Sequence, residues 1–205
     1  LKQFSSWQNT FHFRDEHEII NNQKILIFGG TGSLGHKLVD IYGPNNEITV
    51  FSRDENKQWH MGHVYPQVKF IIGNIRDPKR VKEAIKRVCP HIIIVAAALK
   101  HVDKCEYEIE EAYQTNCQGL INVLDIARTI TNTLHTVVFI STDKACSPIN
   151  TYGLTKALAE KAIIEEAHKT TSKNAIKYIN VRYGNVLNSR GSILEILNLI
   201  GNNQS

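Results

Sequence analysis

The chain has 205 residues, of which 42% are hydrophobic and 21% charged, the balance of an ordinary soluble globular domain with one sizeable core. Its 24 basic and 20 acidic residues are interleaved, so the net charge of +4 predicts no nucleic-acid partner. No apolar run approaches the roughly 20 residues of a membrane-spanning helix, and the N-terminal residues lack a signal-peptide core, so we expect neither membrane insertion nor secretion.

Four cysteines are spread along the chain without a C-x-x-C spacing: Cys89, Cys105, Cys117 and Cys146. We therefore expect reduced thiols in a cytoplasmic protein, with no disulfide and no metal site.

Residues 1–23 are interpreted as an N-terminal arm in which a few aromatic residues stand among polar ones. The arm either carries a short helix that packs on the domain or on another subunit, or is a mobile extension. Residues 24–205 are predicted to form the one domain of the chain.

From residue 24 onward, strand-like and helix-like patterns alternate. Strands are predicted over 25–28, 47–51, 68–72, 91–96, 136–140 and 175–181. Apolar residues at helical spacing lie between them, and an incipient helix follows over 192–200. This alternation predicts an α/β, doubly wound parallel sheet, the Rossmann fold.

The first strand is followed by glycines at G-x-x-G-x-x-G spacing, Gly29, Gly32 and Gly35. Glycines in such a turn let backbone N–H groups approach a pyrophosphate at the positive end of the next helix. On its own the triplet also fits a plain strand–turn–helix. As a cofactor site, the turn comprises Gly29, Thr31, Gly32, Ser33, Leu34 and Gly35.

The second strand ends in Ser52 and Arg53, where an acidic residue would bind the adenosine ribose of NAD. A hydroxyl and a guanidinium can instead hold a 2′-phosphate, so the pattern favours NADP. Lys57 is either a further contact or a solvated surface lysine.

Further cofactor contacts are expected after the third and fourth strands. Asn74 and Ile75 follow the third strand, from which an amide could reach the adenine edge. Three alanines, Ala96, Ala97 and Ala98, end the fourth strand and leave room for a dinucleotide.

Residues 141–156 read STDKACSPINTYGLTK and begin at the end of the fifth strand. Tyr152 and Lys156 are four residues apart, so they share one face of a helix. A nearby ammonium favours tyrosinate and would lower the pKa of the phenol, which could then take a proton from a sugar hydroxyl while hydride leaves the same carbon.

The chain resembles extended short-chain dehydrogenase/reductases and, more narrowly, the inverting UDP-N-acetylglucosamine 4,6-dehydratases of the polysaccharide biosynthesis family. The strings that carry the resemblance are GGTGSLG, FSRDE, AAALKHV, TNCQG, STDKACSPINTYG and RYGNVLNSRGS. The resemblance implies a UDP-sugar substrate and an NADP cofactor, and we expect a homo-oligomer.

The resemblance also implies roles for individual residues. Tyr152, supported by Lys156 and Thr142, would deprotonate the sugar 4-hydroxyl. Lys144 would then remove the C5 proton while Asp143 protonates the departing 6-hydroxyl. These roles need an unprotonated lysine and a protonated aspartic acid, the reverse of their states in water. The alternative for Asp143 and Lys144 is an ordinary surface ion pair.

By the same resemblance, other residues contact the ligands. The sugar nucleotide is expected to touch Lys100, Thr115, Asn116 and Asn185. The cofactor, beyond the residues above, is expected to lie near Lys100, Tyr152, Lys156, Tyr183 and Val186. In relatives that retain the C5 configuration the tyrosine position is often methionine, so Tyr152 points to a product inverted at C5.

The chain departs from the family pattern in three respects. Asn74 stands where aspartate is common, and Asp103 stands where proline is frequent. Family members continue well beyond the position of Ser205, so most of the C-terminal substrate lobe is expected to be absent. Two alternatives to the dehydratase stay open: an NADP-dependent sugar-nucleotide 4-epimerase or reductase, and a truncated NADP-binding protein without catalysis.

Overall fold

The computed structural model describes residues 20–130, 132–169 and 176–184. In these residues six strands form one parallel sheet of order β3-β2-β1-β4-β5-β6. The strands are β1 (Lys24–Phe28), β2 (Glu47–Ser52), β3 (Lys69–Ile72), β4 (Ile92–Val95), β5 (Thr136–Thr142) and β6 (Lys177–Tyr183). The predicted doubly wound α/β architecture is confirmed.

Helices connect the strands. In the described residues they are α1 (Ser33–Tyr42), α2 (Glu55–Val64), α3 (Pro78–Val88), α4 (Val102–Tyr107), α5 (Ile109–Tyr113), α6 (Gly119–Ala127) and α7 (Thr151–Lys169). A π-helical turn, Gln114–Gln118, joins α5 to α6, and 3₁₀ turns occupy Gly43–Asn45 and Asp143–Ala145.

The sheet is covered on both faces, which is why its central strands are apolar throughout. On one face, α3, α6 and α7 pack on residues such as Leu26, Phe28 and Phe139. On the other face, α1 and α2 contribute Val39 and Met61 to a second, smaller core.

All six predicted strands are present, with shifted ends. The fifth continues through Ser141 to Thr142, and the sixth begins at Lys177 and continues to Tyr183. Helix α2 was not predicted, because only Gln58 and Met61 of its ten residues are buried and its sequence therefore has no apolar period. Most of the N-terminal arm and the helix at 192–200 lie outside the described residues.

Within the described ranges, no helix is long and apolar enough to cross a membrane. The same part of the chain contains no cluster of three or more metal-ligating side chains. All four cysteines are free thiols.

Candidate functional site

The carboxyl ends of the strands meet at one edge of the sheet, which we call the C-terminal edge. The chain runs outward from β1 to β2 and β3 in one direction and through β4, β5 and β6 in the other. The reversal between β1 and β4 creates the crevice in which open α/β sheets bind ligands.

The glycine turn lies in this crevice, and two of its glycines are required by contacts. Gly29 has φ +81°, and a Cβ there would lie 2.5 Å from Ala97 Cα. A Cβ on Gly35 would lie 1.8 Å from the Gly30 carbonyl oxygen, so only glycine lets α1 approach the turn so closely.

Gly32 differs, because a Cβ added there would meet no atom within 4 Å. It is the N-cap of α1, and no side chain caps that helix. The open space beside it faces free N–H groups at the positive end of a helix, which is the geometry that binds phosphate. The turn therefore fits a dinucleotide pyrophosphate.

The end of β2 carries the residues predicted to distinguish the two dinucleotides. Ser52 is buried and Arg53 is exposed. The Lys57 ammonium lies 2.7 Å from the Asp54 carboxylate, which also caps α2 by accepting from the Lys57 backbone N–H. Lys57 is thus ion-paired within its own helix.

Gln58 was missed in the sequence. Its side chain is 5% exposed. Its amide nitrogen lies within hydrogen-bond distance of Ser52 Oγ at 2.9 Å, the Ile71 carbonyl at 2.9 Å and the Ser52 carbonyl at 3.1 Å, so one of its two protons is shared between two acceptors. The signal in the sequence is its spacing: Gln58 lies four positions after Asp54, the cap of α2, on the side of the helix that faces the sheet.

Two more predicted cofactor residues lie after β3. Asn74 Oδ1 accepts from the Arg76 backbone N–H at 3.1 Å, which leaves the Asn74 amide N–H groups for an adenine edge. Ile75 is buried, and its carbonyl accepts from Asn122 at 3.0 Å. The half-buried Ala96, Ala97 and Ala98 follow β4, and the backbone of Ala96 and Ala97 lies against Gly29 of the glycine turn.

The 3₁₀ turn Asp143–Ala145 directly follows β5. The Thr142 hydroxyl donates to Asp143 Oδ1 at 2.9 Å and accepts from the Lys144 backbone N–H at 3.3 Å. The Lys144 ammonium lies 3.2 Å from the same carboxylate oxygen. The Thr142 hydroxyl and then the Lys144 ammonium lower the pKa of Asp143, so in the free chain this residue is an ionised partner of Lys144.

Helix α7 packs against that turn through Gly153, because a Cβ there would lie 2.2 Å from the Lys144 carbonyl oxygen. Asn150 begins the helix by accepting from the Gly153 backbone N–H at 2.8 Å. Gly153 is a second residue that the sequence did not reveal. It brings the turn with Asp143 and Lys144 next to Tyr152.

Tyr152 and Lys156 both lie on α7, four residues apart as predicted. The Lys156 ammonium is 2% exposed, donates to the Ile140 carbonyl at 2.5 Å and lies 4.1 Å from the centre of the Phe139 ring. Burial lowers the pKa of Lys156 to about 7, while the charge of Glu160 opposes that shift.

Burial raises the pKa of the Tyr152 phenol, and the facing Thr142 hydroxyl opposes the shift. The expectation that the ammonium lowers this pKa is therefore wrong for the free chain. The physical reason is that the Lys156 ammonium donates to the Ile140 carbonyl, while burial removes water from the phenol.

An ion pair between Glu160 on α7 and Arg182 on β6, which the sequence did not predict, joins these two elements. Arg182 Nε donates to Glu160 Oε1 at 2.8 Å, and Arg182 Nη2 donates to Glu160 Oε2 at 2.5 Å. Burial alone would raise the pKa of Glu160, but Arg182 and the neighbouring Ser141 and Asn180 outweigh it and hold that pKa at about 2.

The predicted substrate residues on the π-helical turn are both buried. Thr115 Oγ1 has no hydrogen-bond partner among the described residues. The Asn116 amide binds the Leu99 N–H and carbonyl and the Thr155 hydroxyl, so it ties the loop after β4 to α7.

The remaining four predicted contacts are Lys100, Tyr183, Asn185 and Val186. Lys100 is exposed, and Tyr183 ends β6 opposite Thr142 with a pKa raised by burial. Asn185 and Val186 lie outside the described residues.

Comparison with known sequences gives relatives with different names. The chain is 39% identical over 182 residues to the UDP-N-acetylglucosamine 4,6-dehydratase (inverting) of Campylobacter jejuni, covering 86% of this chain and 53% of that protein. It is 41% identical over 183 residues to the UDP-glucose 4-epimerase of Rickettsia akari, covering 85% of this chain and 52% of that protein. The chain thus spans about half the length of these curated relatives.

Solved structures share the architecture. The X-ray structure of Pen from Bacillus thuringiensis matches with a TM-score of 0.80 at 34% identity, covering 91% of this chain and 60% of that one. The UDP-glucose 4-epimerase from Brucella ovis, solved in complex with NAD, matches with a TM-score of 0.66 at 24% identity, covering 81% of this chain and 52% of that one, and shares the fold.

A family model for polysaccharide biosynthesis proteins matches residues 25–203, nearly all of the chain after the arm. Together with the C. jejuni relative, this match confirms the resemblance that the motifs indicated. The chain belongs to the polysaccharide biosynthesis protein family.

Proposed function

We propose that residues 24–205 are the NADP-binding and catalytic part of a 4,6-dehydratase that acts on UDP-N-acetylglucosamine. The observation that carries the proposal is the contact of the Asp143–Lys144 turn with Gly153, next to Tyr152, at the C-terminal edge. A sugar oxidation needs only the tyrosine and lysine, whereas elimination of water also needs an acid and a base facing one sugar ring.

A nicotinamide dinucleotide bound at the glycine turn would supply reversible hydride transfer, from C4 and back to C6, so the proposed reaction has no net oxidation. Tyr152 takes the proton of the 4-hydroxyl, with its tyrosinate stabilised by Lys156 and Thr142. Burial raises the pKa of the Tyr152 phenol, which opposes its ionisation to the tyrosinate base. We therefore propose that the Lys156 ammonium leaves the Ile140 carbonyl and faces Tyr152 during the reaction.

Lys144 then removes the proton at C5, which the 4-ketone acidifies, and Asp143 gives a proton to the departing 6-hydroxyl. In the free chain the two side chains have the opposite protonation states, because they form an ion pair that is partly exposed to water. Covering them with substrate would remove that water and raise the pKa of Asp143. We propose inversion at C5, supported by Tyr152 and by the name of the C. jejuni relative.

NADP is favoured over NAD by the exposed Arg53 beside the buried Ser52. A guanidinium and a hydroxyl can both donate to a 2′-phosphate, and the neighbouring Asp54 carboxylate is already held by the Lys57 ammonium and backbone N–H. The glycine turn with Gly32 would receive the pyrophosphate.

We further propose that the protein is a cytoplasmic homo-oligomer. The four free thiols support a reducing compartment. Leu154 and Leu158 lie one turn apart on α7 and are 55% and 51% exposed, so they offer an apolar face to a second copy.

The decisive experiment incubates the complete protein with NADP and UDP-N-acetylglucosamine in deuterated water. We expect a 4-keto-6-deoxy product that carries deuterium at C5. The R. akari relative makes a 4-epimerase the second candidate, and a 4-epimer without deuterium at C5 would establish that alternative. Unchanged sugar nucleotides together with tight NADP binding would favour a non-catalytic protein.

A further inference from the structure

We propose that Gln58 is a positioning residue for cofactor choice: it fixes the Ser52 hydroxyl so that its proton points to the 2′-phosphate of NADP. The inference rests on the proposed NADP site and adds a residue that does not itself touch the cofactor. Its basis is the hydrogen-bond arrangement at the ends of β2 and β3.

The orientation of the Gln58 amide is determined by its neighbours. The Ser52 and Ile71 carbonyl oxygens, 3.1 and 2.9 Å away, can only accept hydrogen bonds. The amide nitrogen, not its oxygen, must therefore face them. That nitrogen is also 2.9 Å from Ser52 Oγ, so Ser52 Oγ accepts a share of one of its two protons.

Because Ser52 Oγ accepts from Gln58, its own proton must point elsewhere. In the described part of the chain, no acceptor for this proton is found, and the Ser52 carbonyl already accepts from the Gly73 backbone N–H at 3.0 Å. Ser52 is 8% exposed and ends its strand at the C-terminal edge. Its hydroxyl proton is thus left to an acceptor bound at that edge.

A donor held in one direction distinguishes the two dinucleotides. The 2′-phosphate of NADP only accepts hydrogen bonds at neutral pH, whereas the 2′-hydroxyl of NAD both donates and accepts. A hydroxyl free to rotate could serve either group. Gln58 removes that freedom, so its loss should weaken NADP more than NAD.

The test measures dissociation constants of both dinucleotides by calorimetry in the complete protein. We expect Gln58→Met, which keeps the length of the side chain, to weaken NADP about tenfold and NAD less than about twofold. Gln67→Met, at an exposed position after α2, is the matched control and should change neither constant.

A double-mutant cycle shows whether Gln58 acts through Ser52. In a Ser52→Ala background, Gln58→Met should leave the ratio of the two constants unchanged, because no hydroxyl remains to orient. An equal further loss of NADP preference in that background would overturn the inference, as would equal weakening of both cofactors by Gln58→Met.

Three further outcomes have defined consequences. If Gln58→Met does not fold, Gln58→Ala replaces it, because the smaller side chain leaves room for a water molecule to reach the Ser52 and Ile71 carbonyls. The ratio of the NADP and NAD dissociation constants is then measured in that variant. A Ser52→Ala variant with unchanged NADP preference would overturn the inference even if neither Gln58 variant folds. A wild-type protein that prefers NAD would instead refute the proposed NADP site, which is a separate failure.

Discussion

The ion pair between Glu160 and Arg182 should carry a substantial share of the stability of the site. Glu160 is 4% exposed on α7, and both nitrogens of the Arg182 fork on β6 donate to it. Glu160→Gln keeps the shape of the side chain but removes its charge. We expect the variant to lose stability because the Arg182 fork then faces a neutral amide.

The size of the effect follows from the pKa of Glu160. A fall from the ordinary 4.5 to about 2 corresponds, at about 1.4 kcal/mol per pH unit, to roughly 3 kcal/mol of stability at neutral pH. Because glutamine still accepts one hydrogen bond and Arg182 is half exposed to screening water, we expect a loss of about 2 kcal/mol.

The same pKa fixes the sign of the pH dependence. A carboxyl whose pKa is lower in the folded state stabilises the fold above pH 4.5, and this contribution declines as the pH falls from 4.5 toward 2. The difference in unfolding free energy between wild type and Glu160→Gln should therefore narrow by about 1 kcal/mol between pH 6 and pH 3.5.

Urea denaturation at these two pH values measures both effects. Glu165→Gln is the matched control, because Glu165 lies on the same helix and pairs with Lys169 at 2.7 Å but is 67% exposed. Its unfolding free energy should stay close to that of the wild type, because water and salt screen an exposed ion pair. A Glu160→Gln variant as stable as this control, or a difference independent of pH, would refute the reasoning.

Three further predictions concern the cofactor and the chemistry. Gly35→Ala should lower the unfolding free energy by at least about 2 kcal/mol, because its Cβ would collide with the Gly30 carbonyl. Gly32→Ala should lower the unfolding free energy by at most about 1 kcal/mol yet weaken dinucleotide binding. Denaturation measures the unfolding free energy of both variants, and calorimetry measures their dinucleotide affinity. Arg53→Ala should weaken NADP about tenfold to a hundredfold and leave NAD nearly unchanged; equal loss for both would argue against a phosphate contact. Lys144→Ala in the complete protein should slow dehydration and C5 deuterium exchange by about 100- to 10,000-fold at unchanged NADP affinity. Lys161→Ala, at an exposed position, is the control. Near-normal dehydration by Lys144→Ala would show that another residue is the base.

The strands of the parallel sheet and the location of the site could be predicted from the sequence because both depend on local signals. Buried parallel strands need continuous apolar runs, and a turn whose glycines touch backbone needs residues without a Cβ. Residues that directly follow such strands must lie at one edge of the sheet. This is why Gly29, Ser52 and Thr142, far apart in the chain, were correctly expected at the same edge.

Tertiary structure alone decided which side chains meet and in what protonation state. Gln58 reaches Ser52 and Ile71 only because α2 folds back on the ends of two strands, and its helix has no apolar period to reveal that packing. Glu160 and Arg182 are 22 residues apart and meet across α7 and β6. The pKa of Tyr152 is raised rather than lowered because it depends on how much water burial removes, a property of the whole fold that no spacing of residues contains.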